Sequence, residues 1–172
     1  LYSWAVIVGD ARNDGKNRVY VSTRNGGVYE WTFNGSSWSS TTVPTGAMTN
    51  LIPITIGDAR NDGKNRLYIG EWKVNGRLFE ASWNGTSWTV NQIGSELKSI
   101  TGVLVGSIRN DGKNRLYVCA FNGIKEYSWN GTKYDTLRLS NADCETIGEI
   151  GNGRNDGINR FYTNADKVDE FS

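Results

Sequence analysis

The sequence predicts an all-β repeat protein, and three observations support this prediction. A nine-residue box of pattern R-N-D-G-x-N-R-x-Y occurs four times, at 12–20, 60–68, 109–117 and 154–162, with spacings of 48, 49 and 45 residues. Self-similarity at such a period is typical of repeat architectures. Asn-Gly dipeptides recur between short runs rich in aromatic and β-branched residues, a pattern that favours β-hairpins. The 172 residues include 21 Gly, 7 Trp and 8 Tyr but only 2 Pro, a composition that also favours strands joined by turns.

Each repeat contains the pattern of a four-stranded meander. In the second repeat we expect strands at 51–57, 66–72, 78–83 and 88–93, with the box as the loop between the first two. Four strands repeated every 45–49 residues indicate the blade of a β-propeller. An extended solenoid is the alternative, although its repeats are usually shorter. We therefore expect one propeller or part-propeller domain over residues 1–172.

The repeats divide the chain into about three and three-quarter blades. Their approximate limits are 1–48, 49–97, 98–142 and 143–172, and the last repeat lacks its outer strand. The chain could be a piece of a larger ring, a small four-bladed ring, or one half of an eight-bladed ring. We favour a ring completed by a second copy or by sequence outside these residues, since the chain begins at Leu1 rather than Met.

Turn chemistry gives an expected strand register. Two-residue type I′ turns are expected at every Asn-Gly pair, because that turn requires positive φ at both central residues. In the first repeat this register places Glu30 opposite Val21, on the face of Val19 and Val28 rather than with the tyrosines. A glutamate recurs at this position in each repeat: Glu30, Glu80, Glu126 and Glu170. We expect it to be partly buried and paired with a box arginine, from its own or the neighbouring blade.

Composition excludes several functions. The net charge is +1, from 19 basic and 18 acidic residues, which leaves no footprint for nucleic acid or for an anionic membrane. No apolar run approaches the length of a membrane-spanning helix. The chain has no histidine, which removes the commonest general base, and we expect no enzymatic activity. Cys119 and Cys144 could form one disulfide or stay as two buried thiols.

The box and its flanks, Gly-Asp-Ala-Arg-Asn-Asp-Gly-Lys-Asn-Arg-Leu-Tyr at 57–68, resemble the FG-GAP/VCBS type of propeller repeat. Members of this type include integrin α-chain propellers and several seven-bladed lectins. The resemblance covers all four repeats and implies a β-propeller fold. It also implies an oxygen-rich loop between the first two strands that wraps a calcium ion.

The box departs from that calcium loop at two positions that should carry oxygen ligands. The third and ninth positions are arginine in every copy, and only the central aspartate is kept. Guanidinium groups offer only donors, so we expect arginine to replace calcium by pairing with the loop aspartate, with no metal or other cofactor. The residues of this structural box are Arg12, Asp14, Arg18, Arg60, Asp62, Arg66, Arg109, Asp111, Arg115, Arg154, Asp156 and Arg160.

Non-recurring residues provide the predicted ligand site. Arg24, Trp72 and Phe121 precede the second turn at equivalent positions of three repeats. We expect them to form a rim of shallow pockets for a glycan, because aromatic faces stack on the apolar sides of sugar rings.

We therefore predict a non-enzymatic, lectin-like propeller with repeated weak sites, extracellular or at the cell surface. The first alternative is a structural or protein–protein interaction propeller, including a fragment or a designed sub-ring that assembles into a full ring. The second alternative is an accessory domain of a larger extracellular enzyme.

Overall fold

A computed structural model describes residues 3–164 and 168–171 and contains 15 strands. The strands of blade 1 are β1 (Ser3–Gly9), β2 (Arg18–Thr23), β3 (Val28–Phe33) and β4 (Trp38–Val43). Those of blade 2 are β5 (Leu51–Gly57), β6 (Arg66–Glu71), β7 (Gly76–Trp83) and β8 (Trp88–Leu97). Those of blade 3 are β9 (Ile100–Gly106), β10 (Arg115–Ala120), β11 (Gly123–Trp129) and β12 (Tyr134–Ser140). Blade 4 contains β13 (Thr146–Gly151), β14 (Arg160–Asn164) and β15 (Val168–Phe171).

Each blade is an antiparallel meander in which sequential strands pair, as predicted for a β-propeller. The first strands of successive blades lie side by side, so β1, β5, β9 and β13 form the inner layer. No residue of the described part of the chain is helical, and hence none lies in a helix that could span a membrane. The all-β propeller prediction is confirmed.

The hydrophobic core lies between blades rather than within one blade. Its three clusters each join residues of two neighbouring sheets. In the cluster between blades 1 and 2, Tyr20 and Val28 of the first sheet pack against Leu67, Ile69 and other residues of the second. A lone sheet cannot bury its faces, so each blade depends on its neighbours for stability.

A glycine at the end of each inner strand receives an aliphatic side chain of the next blade. A Cβ at Gly9 would lie 3.1 Å from Ile56, and a Cβ at Gly57 would lie 2.7 Å from Val105. Only glycine allows this close approach of neighbouring sheets. At Gly151, the corresponding glycine of blade 4, a Cβ would meet nothing within 4 Å. The described chain is therefore an open arc of blades and not a closed ring.

The predicted register between the second and third strands is wrong by one residue. Glu30 lies opposite Tyr20, and every recurring glutamate faces the box tyrosine of its own blade. In blade 1 the cause is a three-residue connection, with Gly26 at φ 91° and its N–H bonded to the Thr23 carbonyl, in place of a two-residue turn. One extra residue moves the glutamate to the opposite face of the sheet.

The predicted type I′ turns between the third and fourth strands are also wrong. These connections have four residues, because Phe33 pairs with Trp38 and Trp83 pairs with Trp88. In the first, Asn34 uses its side-chain oxygen to accept N–H bonds from the next turn residues at 3.0 and 2.9 Å. Asparagine is therefore present for its side-chain bonds and not for positive φ.

Candidate functional site

The box folds into a tight loop that bonds to itself. Asp10 accepts N–H bonds from Asp14 (3.2 Å) and Gly15 (2.7 Å), and Asp58 does the same in blade 2. Asn13 adopts φ 58°, a left-handed conformation that asparagine tolerates better than most residues. These bonds fix the backbone from which the box arginines project.

The loop aspartate pairs with the last arginine of the box. Arg18 donates to both oxygens of Asp14 at 2.8 and 2.6 Å, and this bond lowers the pKa of Asp14 against an opposing effect of burial. In blade 2 the corresponding bond lowers the pKa of Asp62 to about 2. The same pair recurs in all four blades, as Asp14–Arg18, Asp62–Arg66, Asp111–Arg115 and Asp156–Arg160. The predicted pairing of the loop aspartate with arginine is confirmed.

The first arginine of the box pairs with the recurring glutamate. Arg12 donates to the two oxygens of Glu30 at 2.9 and 2.5 Å, and the Glu30 side chain is only 1% exposed. The equivalent pairs are Arg60–Glu80, Arg109–Glu126 and Arg154–Glu170. Each pair lies within one blade, so of the two predicted alternatives the partner is the box arginine of the same blade. The burial and pairing that were predicted for Glu30 are present.

The same arginines also contact the next blade. The Arg12 guanidinium lies 3.7 Å from the ring centroid of Trp83, and that of Arg60 lies 3.9 Å from Trp129. We call the contact between blades 1 and 2 the first junction and that between blades 2 and 3 the second junction. At both, a glutamate holds the guanidinium over an indole ring, an arrangement that favours cation–π attraction.

A pocket opens beside the arginine at each of these two junctions. At the first it has a volume of about 320 Å³ and is lined by Arg12, Thr41, Thr42, Pro44, Trp83, Ser87 and Trp88. At the second it has a volume of about 300 Å³ and is lined by Arg60, Asn91, Gln92, Ile93, Trp129, Thr132, Lys133 and Tyr134. Both combine a guanidinium, an indole ring and hydroxyl or amide groups. Sequence reasoning missed these pockets, because the arginine and the indole ring of each pocket come from different repeats.

The third junction, between blades 3 and 4, has a different lining. Its cavity of about 630 Å³ contains Arg109 and Glu126 but also Leu137, Leu139 and Phe171. Within the described ranges no aromatic ring lies over the Arg109 guanidinium. The first and second junctions therefore have pockets of the same type, and the third junction does not.

The floor of the second junction is a polar network that crosses from one blade to the next. Tyr134 donates its hydroxyl to Glu80 at 2.6 Å and lies 3.0 Å from the hydroxyl of Tyr68. Burial raises the pKa of both tyrosines well above the usual value, so they stay neutral. This network joins strands of two blades beneath the Arg60 pocket.

The first junction has Trp88 in the place of Tyr134. Its ring packs edge-on against Tyr20 with centroids 6.1 Å apart. The indole N–H of Trp88 is buried without a hydrogen-bond partner, and the Tyr20 hydroxyl lies near Glu30 but makes no hydrogen bond of normal geometry. The two junctions therefore share a pocket and differ in its floor.

Asparagines connect the box loops across the junctions. Asn13 donates to the Asn65 carbonyl at 2.9 Å and accepts from the Asn65 N–H at 2.7 Å. The same exchange links Asn61 to Asn114 and Asn110 to Asn159. This chain of side-chain-to-backbone bonds sets the spacing of the box loops around the arc.

The structure brings two of the three predicted ligand residues together. Trp72 and Phe121 line a cavity of about 480 Å³ with Ile52, Thr101 and Glu145. Arg24 lies apart from it, over the ring of Trp4 at 5.6 Å, and Trp4 in turn contacts Trp72 edge-on. Two of the three residues of the predicted rim thus line a second candidate pocket between blades 2 and 3, and their role in binding a glycan stays a prediction.

Ion pairs fix the connection between β6 and β7, which carries Trp72. Glu71 is buried and accepts two bonds from Arg77 at 2.7 Å each, and Lys73 lies 3.0 Å from the same carboxylate. Burial alone would raise the pKa of Glu71, but the bonds to these cations outweigh it and lower the pKa.

Cys119 and Cys144 form a disulfide with their Cα atoms 5.3 Å apart. It joins strand β10 to the segment that leads into blade 4. The alternative of two free thiols is excluded.

These features define a β-propeller arc whose blades meet at arginine–aromatic pockets, and the comparisons with known proteins agree on the fold. A solved structure of the fucose-specific lectin from Aleuria aurantia, in a mercury-derivative form, matches with a TM-score of 0.57 and 17% identity, over 94% of this chain and 55% of that chain. A mutant of the Aleuria aurantia lectin in complex with α-methyl-L-fucoside matches with the same TM-score and identity, over 99% of this chain and 61% of that chain.

The chain thus spans somewhat more than half the length of the lectins that it matches. No protein-family model and no curated protein sequence matches it. At 17% identity the likeness establishes the propeller fold and leaves the ligand to be argued from the site.

Proposed function

We propose that this chain is a lectin-like β-propeller that binds carbohydrate in the pockets at the first and second junctions. The observation that carries the proposal is the repetition of one pocket at two consecutive junctions, with a glutamate-held arginine against an indole ring each time. Sugar rings present apolar C–H faces and hydroxyl edges, which aromatic rings and fixed polar groups complement. Binding, rather than catalysis, fits a pocket copied from blade to blade.

The polar lining supports a neutral sugar as the ligand. Each arginine is balanced by its own glutamate, so the guanidinium offers directed donors without adding net charge, and Lys133 is a further cation in the lining of the second pocket. The lectin neighbours are described as fucose-specific and as bound to α-methyl-L-fucoside. We therefore propose a fucose-type monosaccharide as the first ligand to test, bound weakly at each pocket and strengthened by multivalent display.

Titration calorimetry with α-methyl-L-fucoside and a glycan-array screen test this function. We expect binding by the wild type and a loss of at least tenfold in affinity for the variant that carries both Trp83→Ala and Trp129→Ala. Trp72→Ala, in the rim pocket, is the matched control and should keep its affinity. A wild type that binds no glycan would contradict the function, and loss of binding only in Trp72→Ala would move the site to the predicted rim. Thermal melting of each variant checks that it is folded.

The structure also supports the proposal that the box needs no calcium, in contrast to the loops of the FG-GAP/VCBS repeats that it resembles. Arg18 already occupies both oxygens of Asp14, and no group of three or more His, Cys, Asp or Glu side chains converges to hold a metal among residues 3–164 and 168–171. We expect the same melting temperature with excess calcium and with excess chelator. A drop of several degrees on chelation would contradict this.

We further propose an extracellular or cell-surface location. The support is the Cys119–Cys144 disulfide, since such bonds form and persist in oxidising compartments.

A further inference from the structure

Blade 1 carries an uncovered apolar surface on the side that faces away from blade 2. We call this surface the leading face; it comprises Val6, Val8, Val19, Val21, Trp31 and Trp38. Val6 and Val8 are 62% and 61% exposed, and Trp38 is 54% exposed. Four of these residues also line a groove of about 260 Å³ with almost no polar surface. A contiguous exposed apolar patch of this kind indicates an interface.

The chain itself shows what covers this surface. In blade 2 the residues equivalent to Val19, Val21 and Trp31 are Leu67, Ile69 and Ala81, and all three are fully buried. Tyr20 and Val28 of the preceding blade pack against them in the core of the first junction. The natural partner of a leading face is therefore the opposite side, or trailing face, of another blade.

Blade 4 offers an uncovered trailing face. Gly151 has an open space where Gly9, Gly57 and Gly106 each hold an aliphatic side chain of the next blade. Arg154 is 65% exposed on its side chain, although its equivalents Arg12 and Arg60 lie under indole rings. We call the space beside each of these glycines a socket. On the trailing face of blade 4 the socket at Gly151 is open and the Arg154 guanidinium is uncovered.

The two open faces are complementary position by position. Val8 is the equivalent of Ile56, which fills the socket at Gly9. Phe33 pairs with Trp38 as Trp83 pairs with Trp88, so Phe33 is the ring that would cover Arg154. The side chain of Asn155, at φ 57°, would meet the backbone of Asn17, as Asn13 meets that of Asn65.

We propose that the leading face of one copy of this chain docks on the trailing face of a second copy, and that the reciprocal contact closes a two-chain ring. The second copy is the occupant because each chain carries both faces once. The contact repeats the geometry of the three junctions already present within the chain. It is heterologous, since two different surfaces meet, and it closes only if both contacts form. This proposal does not depend on the identity of the ligand.

Sedimentation equilibrium of the full chain at micromolar concentrations tests the ring. The expected mass is twice the 19.1 kDa of one chain. Gly151→Val places a side chain in the socket, where its Cβ would meet no atom of its own chain within 4 Å, and Val8→Asp places a charge on the leading face at an exposed position. We expect each variant to sediment as one chain with an unchanged far-ultraviolet spectrum. Thr136→Asp, on the outer strand of blade 3, is the matched control and should keep the mass of the wild type.

Mixing the two variants distinguishes this contact between two different faces from a symmetric contact between two identical faces. Gly151→Val keeps an intact leading face and Val8→Asp keeps an intact trailing face, so the mixture regains one good contact and should form a two-chain species that neither variant forms alone. A wild type with the mass of one chain at 100 µM (roughly tenfold above the Kd of a weak specific interface) would overturn the proposal. Two-chain association that survives both Gly151→Val and Val8→Asp would also overturn it, because the contact would then lie elsewhere.

Discussion

The first and second junctions share an arginine–glutamate–indole pocket, but they differ in the buried residue beneath it. At the second, Tyr134 completes a network with Glu80 and Tyr68. At the first, Trp88 fills the space with a larger apolar ring and leaves its own N–H and the hydroxyl of Tyr20 without a partner. The same position is therefore filled in two ways: Tyr134 adds hydrogen bonds, and Trp88 adds apolar contact.

This difference also indicates which junction is the more rigid support for a ligand. Arg60 is fixed by a glutamate that is itself fixed by Tyr134 from the next blade, whereas the further contacts of Glu30, with Thr41 at 3.4 Å and Arg18 at 3.7 Å, come from its own blade. A guanidinium held from two blades should present its donors with less freedom. The second junction is therefore expected to bind sugar more tightly than the first.

Removal of the buried carboxylates should give the largest effect on stability. Glu80→Ala removes the carboxylate that pairs with Arg60 and lies 3.8 Å from the Arg66 guanidinium, and we expect a loss of about 3–5 kcal/mol in the free energy of unfolding. Glu30→Ala should cost less, since Glu80 also holds Tyr134 across the junction. Urea unfolding at pH 7 measures both. Equal losses would mean that the tyrosine adds nothing to the second junction.

The cross-blade hydroxyl should give the next largest effect. Tyr134→Phe removes the bond to Glu80 and leaves the Tyr68 hydroxyl unpaired, and a loss of about 1–2 kcal/mol is expected in urea unfolding. Tyr29→Phe is the matched control, because the Tyr29 hydroxyl makes no hydrogen bond in the described structure, and it should change stability little. If both substitutions cost the same, the network is not a source of stability.

Acid should weaken the aspartate–arginine pairs of the box loops, and it should cost less stability than the substitution at Glu80. The arginine bonds hold the pKa of Asp62 at about 2, below the value of about 3.9 in an unfolded chain. Such a pair contributes its stability above pH 4 and loses it as the pH falls toward 2. We expect the urea midpoint to drop between pH 4 and pH 2.5, and to drop less in Asp62→Asn. Identical pH profiles for the two proteins would contradict this.

Much of the fold could be predicted from the sequence because the repeat is local. The nine-residue box contains both partners of the Asp14–Arg18 pair, so their interaction followed from the chemistry of nearby residues. The register of Glu30 could not be predicted in the same way, because Asn25-Gly26 fits both a two-residue and a three-residue connection, and one residue decides the face.

The junction pockets could not be predicted from the sequence because their halves are distant in the chain. Arg12 and Trp83 meet only when two blades stack, and the sequence does not say which ring of the next repeat covers the arginine. The recurrence of an aromatic at the end of the third strand was the available signal. It is equally consistent with ordinary packing, and the contact with arginine is what separates the two interpretations.

The smallest expected effect gives the sharpest comparison between the junctions. Tyr20 and Tyr68 occupy the same position, but only the Tyr68 hydroxyl has a hydrogen-bond partner of normal geometry. Tyr68→Phe should therefore destabilise the protein by about 1 kcal/mol, whereas Tyr20→Phe should be neutral or slightly stabilising, because it removes a buried polar group that has no partner. Paired urea titrations measure both. If Tyr20→Phe costs as much as Tyr68→Phe, the Tyr20 hydroxyl has a partner in solution, such as water, and the two junctions are equally satisfied.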